Sequence, residues 1–234
     1  MSDDVGTLDS EVDIYFVDTS VELVDLTECR ELLSDDERVR LNALVSLADR
    51  DRRAVRFARR RQLLARYLRV DPHDVGMTYD ERGRPATSDD LRFSCSYAAD
   101  LFAMALTRGR DIGIDVESID SFSKGPKLTR HLSGVEIKAL ASMSADHADL
   151  ARARMWTRKE ALAKAMGTGF SLDPRDIDVA TTPLATSGTC RRDGNDQTWY
   201  WNDIVGWNRD IVATVVMAMH DCTTSPSFSV RRFP

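Results

Sequence analysis

The segment Arg110-Asp111-Ile112-Gly113-Ile114-Asp115-Val116-Glu117-Ser118-Ile119-Asp120 opens with apolar and polar residues in alternation. Read as a β-strand over 112–117, it places Ile112, Ile114 and Val116 on one face and Gly113, Asp115 and Glu117 on the other. The first face asks for a core. The second carries two carboxylates side by side, and like charges that close repel each other, more so when partly buried. Either a cation neutralises them or one of them holds a proton.

On either side of this strand the chain reads as the same succession of elements. Before it come a strand over 13–18, a helix over 34–47, an arginine-rich helix over 50–68, a strand near Asp74–Asp80, a turn at 81–85, and a hairpin of strands over 91–96 and 101–107. The helix at Ser34 opens on Ser-Asp-Asp-Glu, a capping box with Glu37 three residues after the cap. After it come a Ser/Gly/Pro/Lys loop, a helix near 134–143, a long helix over 148–166, and strands near 176–180, 197–203 and 211–219. Both halves run strand, two helices, three strands. The expected fold is α+β (α/β), with two similar lobes related by a pseudo-twofold in one chain. The N-terminal lobe spans 1–110 and the C-terminal lobe 111–234, with a ligand cleft between them.

Composition bounds the function class. At 234 residues, with 42% hydrophobic and 30% charged residues, the chain suits a soluble globular protein that buries a sizeable core. Its longest apolar run, Ile211–Met219, falls far short of the ~20 residues of a membrane-spanning helix. The acidic, polar N-terminus lacks the basic and apolar regions of a secretion signal, so a cytoplasmic location is expected. Cys29, Cys95, Cys190 and Cys222 are scattered without metal-ligand spacing, which fits reduced packing cysteines.

The net charge of -6 hides a local excess of the opposite sign. Nine arginines and one acid lie between Arg50 and Arg69, enough to meet nucleic acid, a polyphosphate or an acidic protein, or simply to form a solvated helix face. Only Phe57 and Tyr67 are available there for base stacking, and no reader motif accompanies them, so nucleic acid is not the expected partner. Arg61 stands apart. It lies four residues after Phe57 and three before Leu64, inside the apolar stripe of its own helix, so it either snorkels outward or reaches a buried or cleft-bound anion. In the long helix, Trp156, Glu160, Lys164 and Gly167 follow at steps of four, four and three and line one face. Glu160 and Lys164 read equally as an exposed ion pair, and Gly167 and Gly169 as the helix end.

Taken together, the two motifs carry a resemblance. Gly113-Ile114-Asp115-Val116-Glu117, followed about forty residues later by Trp156-Thr157-Arg158-Lys159-Glu160-Ala161-Leu162-Ala163-Lys164-Ala165-Met166-Gly167, resembles the signature pair of the larger, single-chain, surfactin-type 4′-phosphopantetheinyl transferases. Gly83-Arg84-Pro85 stands where that family has Gly-Lys-Pro. Phe93-Ser94-Cys95-Ser96-Tyr97 stands where it has Phe-Asn-x-Ser-His.

The resemblance implies Mg²⁺-dependent transfer of phosphopantetheine from coenzyme A to a serine of an acyl or peptidyl carrier protein, with Mn²⁺ as a substitute ion. It implies Asp115, Glu117 and Glu160 as metal ligands and Glu160, Lys164 and Lys159 as catalytic groups. Coenzyme A would be held by Arg61, Arg84, Pro85, Ser96, Tyr97, Lys159 and Lys164, with Tyr97 in the place of the family's histidine. Glu160 is left as metal ligand, general base, or both. Lys124, Lys127 and the arginine helix are candidates to meet an acidic carrier. A monomer working for fatty-acid, polyketide or nonribosomal-peptide synthesis is expected, with no nucleic acid and no membrane as partners. The alternative is a catalytically degenerate protein of the same fold that binds coenzyme A or a carrier.

Overall fold

The computed structural model describes residues 11–81, 83–87, 90–123, 130–167, 173–179, 187–192, 195–204, 210–219 and 226–233, so Lys124, Lys127 and Gly169 fall outside the described residues. The first half contains β1 (Val12–Asp18), α1 (Leu26–Glu31), α2 (Asp35–Asn42), α3 (Leu47–Leu68), β2 (Thr78–Tyr79), β3 (Pro85–Ala86), β4 (Leu91–Ala98) and β5 (Leu101–Arg108). The second contains β6 (Ile112–Ser118), α4 (Asp120–Ser123), α5 (Gly134–Ala141), α6 (Ala145–Met166), β7 (Ser187–Arg192), β8 (Asn195–Ile204), β9 (Ile211–Ala218) and β10 (Phe228–Phe233). The class is mixed α/β, as the alternating patterns require. Among the described residues no helix is long and apolar enough to cross a membrane.

Two four-stranded sheets carry the fold, in the orders β10-β1-β5-β4 and β6-β9-β8-β7, and β2 and β3 form a small separate hairpin. α3 packs on the first sheet, where Leu63, Leu64 and Tyr67 meet Tyr15, Leu91, Phe93, Met104 and Leu106. α6 packs on the second, where Met155, Leu162 and Met166 meet Trp199, Trp201 and Val216. A third cluster joins the sheets themselves: Ile14 and Phe16 of β1 and Ala105 of β5 share a core with Ile112, Ile114 and Val116 of β6 and Val215 of β9. The apolar face of the opening segment is thus spent on holding the two sheets together.

Several elements differ from the sequence reading. The helix expected over 34–47 ends at Asn42, and α3 begins at Leu47, because Ser46 caps a new helix by accepting the Asp49 N–H at 3.3 Å. The strand expected near Asp74–Asp80 shrinks to Thr78–Tyr79. Of the strand expected near 176–180, the described residues 176–179 form none; a 3₁₀ turn at Pro174–Asp176 stands at its start, and its twin stands at Pro72–Asp74. In both, an Asp-Pro pair sets the turn. Asp71 or Asp173 caps it and the proline occupies its first position, where a missing N–H costs nothing. β10 was not anticipated. It pairs in parallel with β1, Val12 opposite Phe228 through Val17 opposite Phe233, so the end of the chain returns to the first sheet across the expected 1–110/111–234 division.

Candidate active site

The site begins where β6 touches α6. A Cβ on Gly113 would overlap the Ala161 carbonyl oxygen and lie 2.6 Å from the Ala165 nitrogen, so only glycine lets strand and helix approach this closely. That approach carries the polar face of β6 under the helix face that holds Trp156, Glu160 and Lys164. Asp115 is 4% exposed, and its Oδ1 receives the Lys164 ammonium at 2.7 Å and the Ser96 hydroxyl at 2.8 Å. Lys164 also donates to Ser96 Oγ at 2.9 Å and to the Ile114 carbonyl at 3.1 Å. β4 contributes a second clamp, as Ser94 Oγ accepts the Ile114 N–H at 3.1 Å. Buried Ser96 and Asp115 and part-buried Lys164, drawn from three elements and both halves, form one knot.

The electrostatics around the knot are those of crowded carboxylates. Burial pushes the Asp115 carboxyl up while Lys164 holds it back. Glu117 is raised to about 7 by burial and by Asp115, and a hydrogen bond from Trp156 opposes the rise. Glu160 is also raised to about 7, by burial, Asp115 and Glu117, against the pull of Lys164. Three acids that hinder one another's ionisation share one lysine. Asp115 Oδ2 is buried with no hydrogen-bond partner, a costly state for a carboxylate oxygen. Among the described residues no three carboxylates already stand as a metal-binding group. Hard oxygen donors, one of them buried and unused, are nonetheless the kind of group a divalent cation takes.

Beside the knot lies a cavity of about 330 Å³ lined by Arg60, Asp80, Gly83, Arg84, Pro85, Phe93, Ser94, Cys95, Ala163, Lys164 and Gly167. It is formed by both halves and, among the described residues, is basic, with three cations facing one acid. Arg84 crosses from the first half to the end of α6. Gly167, in the left-handed conformation at φ 68°, has no side chain to obstruct it; a Cβ there would lie 2.7 Å from Arg84 Nη1.

The structure brings Asp115, Glu117, Glu160, Lys164, Ser96, Arg84 and Pro85 to the knot and its cavity, and it sets three other expected residues apart. Lys159 is 3% exposed, and its ammonium is spent on Glu136 at 2.9 Å, the Pro174 carbonyl at 2.6 Å and the Ile177 carbonyl. Arg61 is 2% exposed and neither snorkels nor faces the cavity. It donates to Glu37 at 2.6 Å and to the Pro72 and His73 carbonyls. The stripe of α3 that contains it does face a core, but the anion it reaches there is a protein carboxylate. Tyr97 follows Leu91, Phe93 and Cys95 on the β4 face turned away from Ser96. Its ring is half exposed and lies 3.8 Å below the Arg56 guanidinium.

Arg60, the neighbour of Arg61, lines the cavity and was not singled out by spacing. Nor were Glu37 and Glu136 as ion-pair partners, although the Ser-x-x-Glu capping box had already marked Glu37. The same pattern at Ser133–Glu136 was the available signal.

Comparison with known proteins agrees with this geometry. Residues 111–216, which hold the carboxylates and α6, match the family model of the 4′-phosphopantetheinyl transferase superfamily. The 4′-phosphopantetheinyl transferase HetI of Nostoc sp. (strain PCC 7120) is 30% identical over 182 residues, covering 75% of this chain and 76% of that protein. AcpT of Salmonella typhi, also a 4′-phosphopantetheinyl transferase, is 31% identical over 151 residues, 62% of this chain and 75% of AcpT. The putative 4′-phosphopantetheinyl transferase slr0495 of Synechocystis sp. is 28% identical over 145 residues, 60% of this chain and 59% of that protein. With its carboxylate strand, its Glu160–Lys164 helix face and this breadth of similarity, the chain belongs to the 4′-phosphopantetheinyl transferase superfamily.

Proposed function

We propose that this protein transfers the 4′-phosphopantetheine group of coenzyme A to a serine hydroxyl of an acyl or peptidyl carrier protein. The observation that carries the reading is the knot of Asp115, Lys164 and Ser96 beside Glu117 and Glu160, on the wall of a basic cavity. In this reading Asp115, Glu117 and Glu160 hold Mg²⁺, for which Mn²⁺ can substitute. When bound, the ion supplies charge neutralisation to the phosphates of coenzyme A and to the leaving group.

The chain's own groups account for the rest. The cavity, with Arg84 and Lys164 on its walls, takes the nucleotide end of coenzyme A through its phosphates. Lys164, steered by Asp115 and Ser96, points its charge at the phosphate side of the knot. Glu160 would serve as the base for the serine only while held weakly or through water to the ion, because a bound cation favours its ionised form. The serine oxygen forms a bond to the phosphorus of phosphopantetheine as the bond to adenosine 3′,5′-bisphosphate breaks, and the serine proton passes to Glu160. The reading also includes duplicated lobes of the surfactin type. Supporting it, each half has a Ser-x-x-Glu capping box, a buried cation on the long helix, and an Asp-Pro-x-Asp turn followed by a buried Val75 or Ile177. A cytoplasmic monomer serving fatty-acid, polyketide or nonribosomal-peptide synthesis belongs to the same proposal.

The test is mass spectrometry of an apo carrier protein incubated with this protein, coenzyme A and Mg²⁺. A gain of one phosphopantetheine is expected. No gain across acyl and peptidyl carriers, with coenzyme A still bound, would favour a binding protein of the same fold.

A further inference from the structure

Glu37 and Glu136 occupy matching places in the two halves, and the difference between them carries an inference that rests on the transfer reading. Each closes a capping box and is fully buried. Each holds a cation from the long helix that follows, Arg61 or Lys159, and that cation also donates to carbonyls of the Asp-Pro turn. At Glu136 the second carboxylate oxygen accepts the neutral Val179 N–H at 3.2 Å. At Glu37 it accepts Arg60 Nη2 at 2.7 Å. The second half therefore sets one cation against one carboxylate, while the first sets two.

A surplus buried charge is unfavourable unless something compensates it. Here the surplus stands at the wall of the cavity. Arg60 is 6% exposed and lines the cavity together with Arg84 and Lys164. Its Nη2 is fixed by Glu37 and by the Tyr79 hydroxyl at 3.0 Å, and its face rests on the Phe57 ring at 4.6 Å. Its Nε is buried and has no partner. Among the described lining residues the only acid, Asp80, accepts the Arg84 backbone N–H at 2.8 Å. A clamped guanidinium with an unused donor, in a wall of net positive charge, is a receptor for a bound anion.

We infer that Arg60 binds a phosphate of the coenzyme A nucleotide in this cavity and that Glu37 is its positioning residue, while Arg61 is a strut of the fold. The experiment is calorimetric titration of the full chain with adenosine 3′,5′-bisphosphate, with thermal unfolding of every variant recorded alongside. Arg60→Gln is expected to weaken binding about tenfold or more, the scale of a lost charge-assisted contact. Arg61→Lys, which keeps a cation on Glu37, is expected to stay within about threefold of the parent while lowering the melting temperature. Glu37→Gln is expected to weaken binding several-fold, and combining it with Arg60→Gln should cost no more than Arg60→Gln alone, because Glu37 acts through Arg60. If Arg60→Gln does not fold, Arg60→Lys takes its place, with about a fivefold loss expected because the planar fork is gone. A folded Arg60 variant that binds as tightly as the parent overturns the assignment. Full additivity of the Glu37 and Arg60 effects, or unchanged affinity in Glu37→Gln, overturns the positioning role. A parent chain that binds no bisphosphate at all sinks the transfer reading, and this inference with it.

Discussion

Asp115 is the residue on which the site turns, because its two oxygens do different work. Oδ1 fixes Lys164 and Ser96, while Oδ2 is buried without a partner. Asp115→Asn keeps the size and one acceptor but removes the charge. We expect phosphopantetheine transfer to fall about 100-fold or more, with the circular dichroism of the parent retained. Near-parental transfer at ordinary Mg²⁺ would remove Asp115 from the metal set. The raised carboxyls of Glu117 and Glu160 make a second prediction, about stability. Their folded values of about 7 lie above the ordinary value of 4.5, so between those limits the folded state binds more protons than the unfolded one. Their contribution is therefore fully present below about 4.5 and is lost as pH rises through about 7. Without divalent cation the melting temperature should fall over this window, at about 2–4 °C per kcal/mol for a chain of this size. Saturating Mg²⁺ should flatten or reverse the fall, since a cation favours the ionised acids. A metal-free protein whose melting temperature rises from pH 5 to 7 would contradict the crowding of these groups.

At the scale of elements, β6 and α6 form the rigid pair that builds the site, and Gly113 is what lets them meet. Gly113→Ala would drive a methyl group into helix backbone that has no rotamer to yield. The expected cost is about 3 kcal/mol, at the upper end for overpacking, measured as a lower urea midpoint, with transfer lost as Asp115 moves off Lys164. A tolerant Gly113→Ala would mean that the strand can slide. Lys159 tests the other side of α6. As the buried partner of Glu136 it should cost about 3–5 kcal/mol when replaced by Ala, and Lys159→Arg, if folded, should leave coenzyme A affinity unchanged. A specific loss of affinity in folded Lys159→Arg would return this lysine to the cofactor.

Both cases mark what the sequence can disclose. The alternation over 112–117 fixes which face of β6 is core, and four-residue steps fix which side chains of α6 share a face, so Asp115, Glu117, Glu160 and Lys164 were legible. Periodicity on a single helix does not disclose which neighbouring element supplies a counter-charge. Arg61 and Lys159 sit within motifs and were therefore assigned to ligand, whereas Glu37 and Glu136, separated from them by more than twenty residues, claim them. The Asp-Pro pairs carried a turn signal that the sequence reading did not take up, and the extended residues after them resemble a strand until a pairing partner is known.

For the molecule as a whole, the chain reads as two halves but is held as one. Ile112, Ile114 and Val116 of β6 and Val215 and Met217 of β9 pack against Val12, Ile14 and Phe16 of β1 and Ala103 and Ala105 of β5, so neither sheet keeps its inner face covered without the other. β10 adds a covalent consequence. The last described strand of the second half completes the first sheet beside β1, and Phe233 packs edge-on against Tyr15 there. Separating the halves would expose both inner faces and one edge of β1, too much apolar surface for either to remain folded in water. Unfolding should accordingly be a single cooperative step. The distribution of aromatic residues makes this measurable, because all four tryptophans, Trp156, Trp199, Trp201 and Trp207, lie in the second half. Tryptophan fluorescence in urea therefore follows that half, while hydrogen exchange of β1 and β5 peptides, pulsed at the same urea concentrations, follows the first. Coincident midpoints are expected, and Val215→Ala, a truncation in the shared core, should lower both together by about 1–3 kcal/mol. Two separated midpoints, or a Val215→Ala effect confined to the tryptophan signal, would show lobes that hold themselves together alone, and the cleft between them would then be a hinge rather than a fixed site.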